Sequence, residues 1–126
     1  MDKTLTEGKL GALLDALAVE RSLYVELITA LERERTALVN MSADEMMGVT
    51  PAKEAVISRI RAQSGAIEQA MAALASALGV ARGHERISLS RLIDHLDGTH
   101  GSRLQAARDQ VVALSETASV LNRAND

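Results

Sequence analysis

The first forty residues place apolar or aliphatic side chains in alternating steps of four and three. The pattern occupies positions 10, 14, 17, 21, 24, 28, 31, 35 and 38, a heptad spacing that keeps one stripe of a helix facing its partners. Leu13 and Leu27 widen the stripe, as bundle helices require. Arg21 and Arg35 interrupt it, but their aliphatic stems can lie on apolar surface while the charge stays in water. The pattern predicts a long helix over about residues 4–40.

A break and a second long stripe follow. The segment SADE at residues 42–45 has the form of a capping box, and Gly48 offers a stop about one turn later. Thr50 then precedes Pro51, which suits the first position of a helix because its missing N–H is not needed there. Positions 57, 60, 64, 67, 71, 74 and 78 continue in steps of three and four, with Ser64 as the one polar member. The second long helix is therefore predicted over about residues 51–78.

The remainder of the chain predicts a short helix and a final long one. Ser88 is a candidate cap, and Ile87 and Leu92 around it are spaced as a hydrophobic staple, so a short helix is expected over about 88–97. Residues 98–102 (GTHGS) predict a turn or kink, and the last helix is expected over about 102–126. The whole pattern predicts an all-α antiparallel helical bundle with long coiled-coil-like helices, forming a single domain over 1–126.

The composition mainly excludes certain kinds of core and certain classes of binding partner. The chain has one tyrosine and no phenylalanine, tryptophan or cysteine, so its core must be built from aliphatic residues, methionine and alanine. A net charge of −3 and the lack of aromatic stacking residues argue against nucleic-acid binding. The densest apolar run, residues 70–81, is shorter than the ~20 residues of a membrane-spanning helix. Stable membrane insertion is therefore not expected.

Candidate chemistry is sparse. The segment DHLDGTH at residues 94–100 contains imidazoles and carboxylates that could hold a metal ion, but its two histidines are five residues apart and do not share a helix face. His84–Glu85 could supply a general base, but no candidate nucleophile accompanies it. Both segments are interpreted as solvated helix ends and loops. The sequence therefore predicts no catalytic residue, no cofactor-binding residue and no metal ligand, and it favours a binding or structural protein.

Four pieces of the chain, in order and spacing, resemble a known family. The opening LLDALAVERSLYVELITALERERTALVNMSADEM is followed by the break MSADEMMGVTPA and the pair Lys53-Glu54. A short "leucine-x-x-leucine" helix, SLSRLIDHL, comes next, and the chain closes with Leu121-Asn122 and Asn125. This arrangement resembles the FlgN-like flagellar export chaperones over nearly the whole chain.

The resemblance implies a cytoplasmic chaperone that holds the C-terminal helical segments of hook–filament junction proteins and delivers them to the type III export gate. The family uses its C-terminal helix region for the client, which makes the stripe of the last helix the candidate partner-binding surface. Family members usually continue past the second asparagine, so the last helix is expected to be cut short and part of the site to lie in the missing turns. The candidate residues are Leu104, Val111, Val112, Leu114, Ala118, Leu121, Asn122 and Asn125.

Two alternatives stay open at this point. The same stripe could pack inside the chain's own bundle instead of binding a client. The chain could also be a self-associating coiled-coil scaffold without any export client, and a homodimer is compatible with either function.

Overall fold

The computed structural model describes residues 3–80 and 87–126, which form four helices and no strand. Helix α1 spans Lys3–Val39, α2 spans Ala43–Leu78, α3 spans Leu89–Asp94 and α4 spans Gly98–Asn125. The predicted all-α class is confirmed, and the first long helix lies within one residue of its predicted bounds at both ends.

Helix α2 begins eight residues earlier than the sequence predicts, at Ala43 instead of Pro51. Ser42 is its N-cap, and the Ser42 hydroxyl accepts a hydrogen bond from the backbone N–H of Glu45 at 3.2 Å. The helix then continues through Gly48 and Pro51, although Pro51 has no N–H to donate to the preceding turn. Burial compensates for this loss, because Val49 is only 2% exposed and anchors the first two turns against the rest of the protein.

The start of α4 also differs from the prediction. Residues 98–102 are helical instead of forming a turn, because Asp97 acts as the N-cap and its carboxylate accepts a hydrogen bond from the His100 N–H at 2.9 Å. Helix α3 has Ser88 as its N-cap, as predicted, but it ends at Asp94 and is shorter than expected. The connection that follows Gly79 includes residues 81–86, which lie outside the described residues.

Helix α1 lies between the other two long helices. Two salt bridges, Glu34–Lys53 and Glu26–Arg59, join α1 to α2. The residue that comes later on α1 pairs with the one that comes earlier on α2, so the two helices form an antiparallel hairpin. Helix α4 runs parallel to α1. The side chains of Arg21 and Arg35 both donate hydrogen bonds to α4 residues 89 positions further along the chain. Each long helix thus reverses the one before it, and the two that pack in parallel are α1 and α4.

Helices α2 and α4 both pack on α1 but not on each other, since their Cα atoms nowhere come within 8 Å in the described residues. Two apolar clusters result. We call the larger one the closed-end core; it joins all four helices and consists of Leu10, Leu13, Leu17, Ile67, Leu74, Ala75, Leu78, Leu92 and Leu104. The smaller one, the open-end core, joins the three long helices and consists of Leu27, Leu31, Val56 and Ala118.

Candidate functional site

The structure places the predicted partner-binding residues on different sides of α4. Three of them, Leu104, Val111 and Ala118, are buried. Leu114 and Leu121 are half-buried, Val112 and Asn122 are exposed, and Asn125 is half-buried. Leu121 packs against the open-end core. The predicted stripe is thus largely the face by which α4 packs within its own chain, and its flanks remain accessible.

A groove lies beside this stripe, between α2 and α4, with α1 as its floor. We call it the open-end groove; its volume is about 200 Å³. The floor and one wall are apolar. The wall formed by α4 carries small polar side chains. The lining residues are Tyr24, Leu27, Leu31, Ile57, Ser115, Ala118, Ser119 and Asn122.

Helical periodicity explains why these side chains meet. Tyr24, Leu27 and Leu31 are three and four residues apart, so they lie on one face of α1. Ser115, Ala118 and the neighbouring groove positions on α4 follow the same spacing. Serine and alanine are too small to fill the space between two helices, and this leaves an open channel where larger residues would have closed the bundle.

The groove has little charge of its own. Tyr24 is its one phenol, and burial raises the pKa of Tyr24 above its usual value. The carboxylate of Glu20, one turn earlier on α1, raises the Tyr24 pKa further, and burial raises the pKa of Glu20 itself. The Tyr24 hydroxyl therefore stays protonated at neutral pH and keeps a proton that it can donate to a bound group.

A polar network fastens the end of α4 next to the groove. Asn125 donates from its Nδ2 atom to the Leu31 carbonyl at 2.9 Å and to Glu34 Oε1 at 3.0 Å. Glu34 is 5% exposed and also pairs with Lys53, whose Nζ lies 2.7 Å from Glu34 Oε2. Asn125 Oδ1 is buried without a hydrogen-bond partner among the described residues. Arg35 donates to the Ala124 carbonyl at 3.2 Å, which satisfies one of the free carbonyls at the helix end.

Sequence reasoning singled out α4 and missed what α1 and α2 contribute to the groove. Tyr24, Leu27 and Leu31 belong to the apolar stripe of α1, but nothing in a single sequence says which stripe residues stay accessible once the helices pack. Ser115 and Ser119 carry a faint signal, because small residues beside Ala118 on the same face leave room between helices.

The histidine-rich segment contributes a helix cap and close contacts between His100 and two carboxylates. His100 Nδ1 lies 2.8 Å from Asp97 Oδ2, and its Nε2 lies 4.0 Å from Glu7 Oε1. His95 is exposed at the end of α3. Over residues 3–80 and 87–126 no group of three or more histidine or acidic side chains is arranged to hold a metal ion. The His84–Glu85 pair lies outside the described residues.

These features define an all-helical protein with an open groove between two helices that are both packed on a third, an arrangement suited to binding another helix. A sequence model of the FlgN protein family matches residues 5–126. The chain therefore belongs to the FlgN family, which is a family of flagellar export chaperones. No curated protein and no solved structure matches the chain significantly.

None of the helices in the described part of the chain combines the length and the apolar content needed to cross a membrane.

Proposed function

We propose that the chain is a cytoplasmic chaperone of flagellar type III secretion that binds the C-terminal helical segments of hook–filament junction proteins before export. The observation that carries the proposal, together with family membership, is the open-end groove between α2 and α4, where the half-buried side chains of Tyr24 and Ile57 leave apolar surface accessible. The proposed role requires recognition and release of a segment, for which no catalytic group is needed. Delivery to the export gate is part of the same proposal.

The lining of the groove supports a helix that packs over it. Packed helices lie about 8–10 Å apart, and the closest approach occurs where the contact residues are small. Ser115, Ala118 and Ser119 provide such a surface on α4, while Tyr24 and Ile57 add half-buried apolar surface beside it. An amphipathic segment would pack its apolar face over this groove and would leave its polar face in solvent.

Two residues of the predicted set line the groove, and the others would act differently. Ala118 forms part of the groove wall, and the Asn122 side chain can hydrogen-bond along its rim. Leu104 and Val111 are buried within the chain's own packing, so a client could use them only if α4 moved. The half-buried Leu114 offers a second place on α4 where a client could bind.

The test uses two neighbouring positions on α4. Ser119→Asp puts a carboxylate on the groove wall, while Val120→Asp puts the same charge on an adjacent position that is 57% exposed and does not line the groove. Desolvating an unpaired polar group costs about 1–3 kcal/mol, so Ser119→Asp is expected to weaken client binding at least about fivefold. The measurement is calorimetric titration with the C-terminal segment of a junction protein from the same genome.

The results separate the competing explanations. Weakened binding only in Ser119→Asp supports the groove. Weakened binding in Leu114→Asp instead, with helicity unchanged, would move the site to the other flank of α4. If the unaltered chain binds no junction-protein segment and its mass by ultracentrifugation rises with concentration, the self-associating scaffold is the better description.

A further inference from the structure

The connection between α1 and α2 exposes an unusual amount of apolar surface. We call residues 38–47 the hairpin tip. Met41, Met47 and Val39 are the three most exposed large hydrophobic side chains in the described residues, at 91%, 73% and 68%. Leu38 adds a fourth, at 40%. Single exposed apolar residues are common on protein surfaces, whereas a group in one short segment is typical of an interaction site.

The backbone at Met41 gives a second, independent reason to assign a role to the hairpin tip. Met41 has φ +53°, the one positive φ of a non-glycine residue in the described chain. It occupies the left-handed position of a Schellman motif, in which the Ser42 N–H bonds to the Ala37 carbonyl at 3.0 Å and the Met41 N–H to the Leu38 carbonyl at 3.2 Å.

Helix α2 also ends in a Schellman motif, and there the left-handed position is occupied by glycine, as is usual. Gly79, with φ +73°, takes the left-handed position, and the Val80 N–H bonds to the Ala75 carbonyl at 3.0 Å. Glycine suits this conformation, and a Cβ makes it unfavourable. Methionine at position 41 therefore lowers the stability of the α1 cap, while its own side chain gains no packing within the fold. A side chain kept at such a cost suggests a contact outside the chain.

The charges next to the hairpin tip indicate what kind of partner it fits. A polar depression of about 660 Å³ lies between the end of α1 and the start of α2. Three carboxylates line it, those of Glu32, Asp44 and Glu45, against a single base, Arg33. None of the four has an ion-pair partner in the described residues. Apolar anchors beside excess negative charge complement a segment that combines apolar and basic side chains.

We infer that the hairpin tip, with this acidic depression, is a second docking surface, for an amphipathic helical segment whose polar face is basic. It lies on residues outside the open-end groove, so it can be occupied independently of the proposed client. Methionine suits the purpose because its flexible, polarisable side chain adapts to different apolar partners.

The test uses a defined probe, an amphipathic peptide of leucine and lysine about five helical turns long. Its matched counterpart has glutamate in place of every lysine. Methionine methyl resonances of the intact chain are followed during titration of each peptide at low salt. The expected result is that the leucine–lysine peptide shifts the Met41 and Met47 methyl signals and leaves the signal of the half-buried Met71 in place. The glutamate peptide is expected to shift neither.

Two variants make the test specific. Met41→Gly removes the side chain and improves the C-cap of α1, so it is expected to raise the melting temperature by about 3 °C. The same variant is expected to lower the affinity for the leucine–lysine peptide roughly tenfold. The triple variant Glu32→Gln, Asp44→Asn, Glu45→Gln keeps the shape of the depression and removes its three negative charges, leaving Arg33. It is expected to weaken peptide binding by a similar factor, and added salt should then no longer weaken binding further.

Three results would overturn the inference. The first is a Met41→Gly variant that binds the leucine–lysine peptide as tightly as the unaltered chain. The second is equal binding of the two peptides, since the acidic depression would then select nothing. The third is a concentration-dependent rise in mass that Met41→Gly abolishes, because the hairpin tip would then contact a second copy of the chain.

Discussion

The two ends of the α1–α2 hairpin are packed by different means. At the closed end, nine buried apolar residues from all four helices form one cluster, and Leu13, Leu74, Leu92 and Leu104 in it are completely inaccessible. At the open end, four buried apolar residues suffice, and a groove remains between α2 and α4. The short helix α3 accounts for part of the contrast, because it contributes Leu92 to the closed end and has no counterpart at the open end.

Burial of charge follows the opposite distribution, since Glu34, the one buried charged residue among the described residues, lies at the open end. The charged pair Glu34–Lys53 and the bonds of Asn125 lie at the open end, where three helices meet with little apolar area to hold them. Buried ion pairs contribute little net stability because desolvation offsets their attraction, but they do fix which residues face each other. The contrast indicates that the closed end supplies most of the stability. The open end keeps its register by directional bonds and leaves apolar surface accessible for binding.

The sharpest way to break this comparison is to truncate one leucine of α4 at each end. Leu104→Ala removes a fully buried side chain from the closed-end core and is expected to lower the free energy of unfolding by about 3 kcal/mol. Leu121→Ala removes the same atoms from a half-buried position at the open end and should cost about 1 kcal/mol. Urea denaturation followed by circular dichroism measures both values. Equal losses would show that the two ends contribute alike.

The second prediction concerns the room available to a methyl group at each end. Gly48 lies inside α2, and a Cβ there would meet nothing within 4 Å, so Gly48→Ala should stabilise the protein by about 1 kcal/mol through helix propensity. Gly101 lies in the first turns of α4, where a Cβ would be 3.3 Å from the Ile93 carbonyl oxygen. Gly101→Ala is expected to bring no such gain.

A third glycine serves as the control for this pair. Gly65 also lies within α2 with open space around its Cβ position, so Gly65→Ala should match Gly48→Ala in melting temperature. If Gly65→Ala stabilises the protein and Gly48→Ala does not, residues 43–50 are not helical in solution, and the start of α2 at Pro51 that the sequence predicts would be correct.

Local signals in the sequence predict the helical class and the approximate extent of every helix. The heptad stripe of α1 and the caps at Ser42 and Ser88 are short-range features, so a single sequence reveals them. Two helix starts and the end of α3 differ from the prediction. Thr50-Pro51 and the glycines of GTHGS favour helix starts or turns locally, and tertiary contacts outweigh them. Burial of Val49 carries α2 through the proline, and close packing of Gly101 on α3 adds to the Asp97 cap at the start of α4.

The candidate site could be predicted only in part, for a related reason. An apolar stripe on α4 is visible in the sequence, but the sequence does not show that α4 packs along α1 in parallel, with α2 on another side of α1. That arrangement buries Val111 and leaves Asn122 on an open groove. Which of the predicted residues bind a client stays a prediction, which the Ser119 and Leu114 variants test.

The smallest expected effect is a pH dependence at the closed end. The backbone hydrogen bond from His100 holds the pKa of Asp97 below its ordinary value of 3.8, and the charge of His100 and its side-chain bond lower it further. A carboxylate with a depressed pKa stabilises the folded state at every pH above its unfolded pKa, and that contribution is lost as the pH falls through the folded pKa.

Asp97→Asn keeps an oxygen that can cap α4 but removes the charge. The melting temperature of the unaltered chain should therefore exceed that of Asp97→Asn at pH 6, and the difference should shrink once the pH drops below about 4. A difference that persists unchanged to lower pH would mean that the cap acts through the shape of the side chain and not its charge.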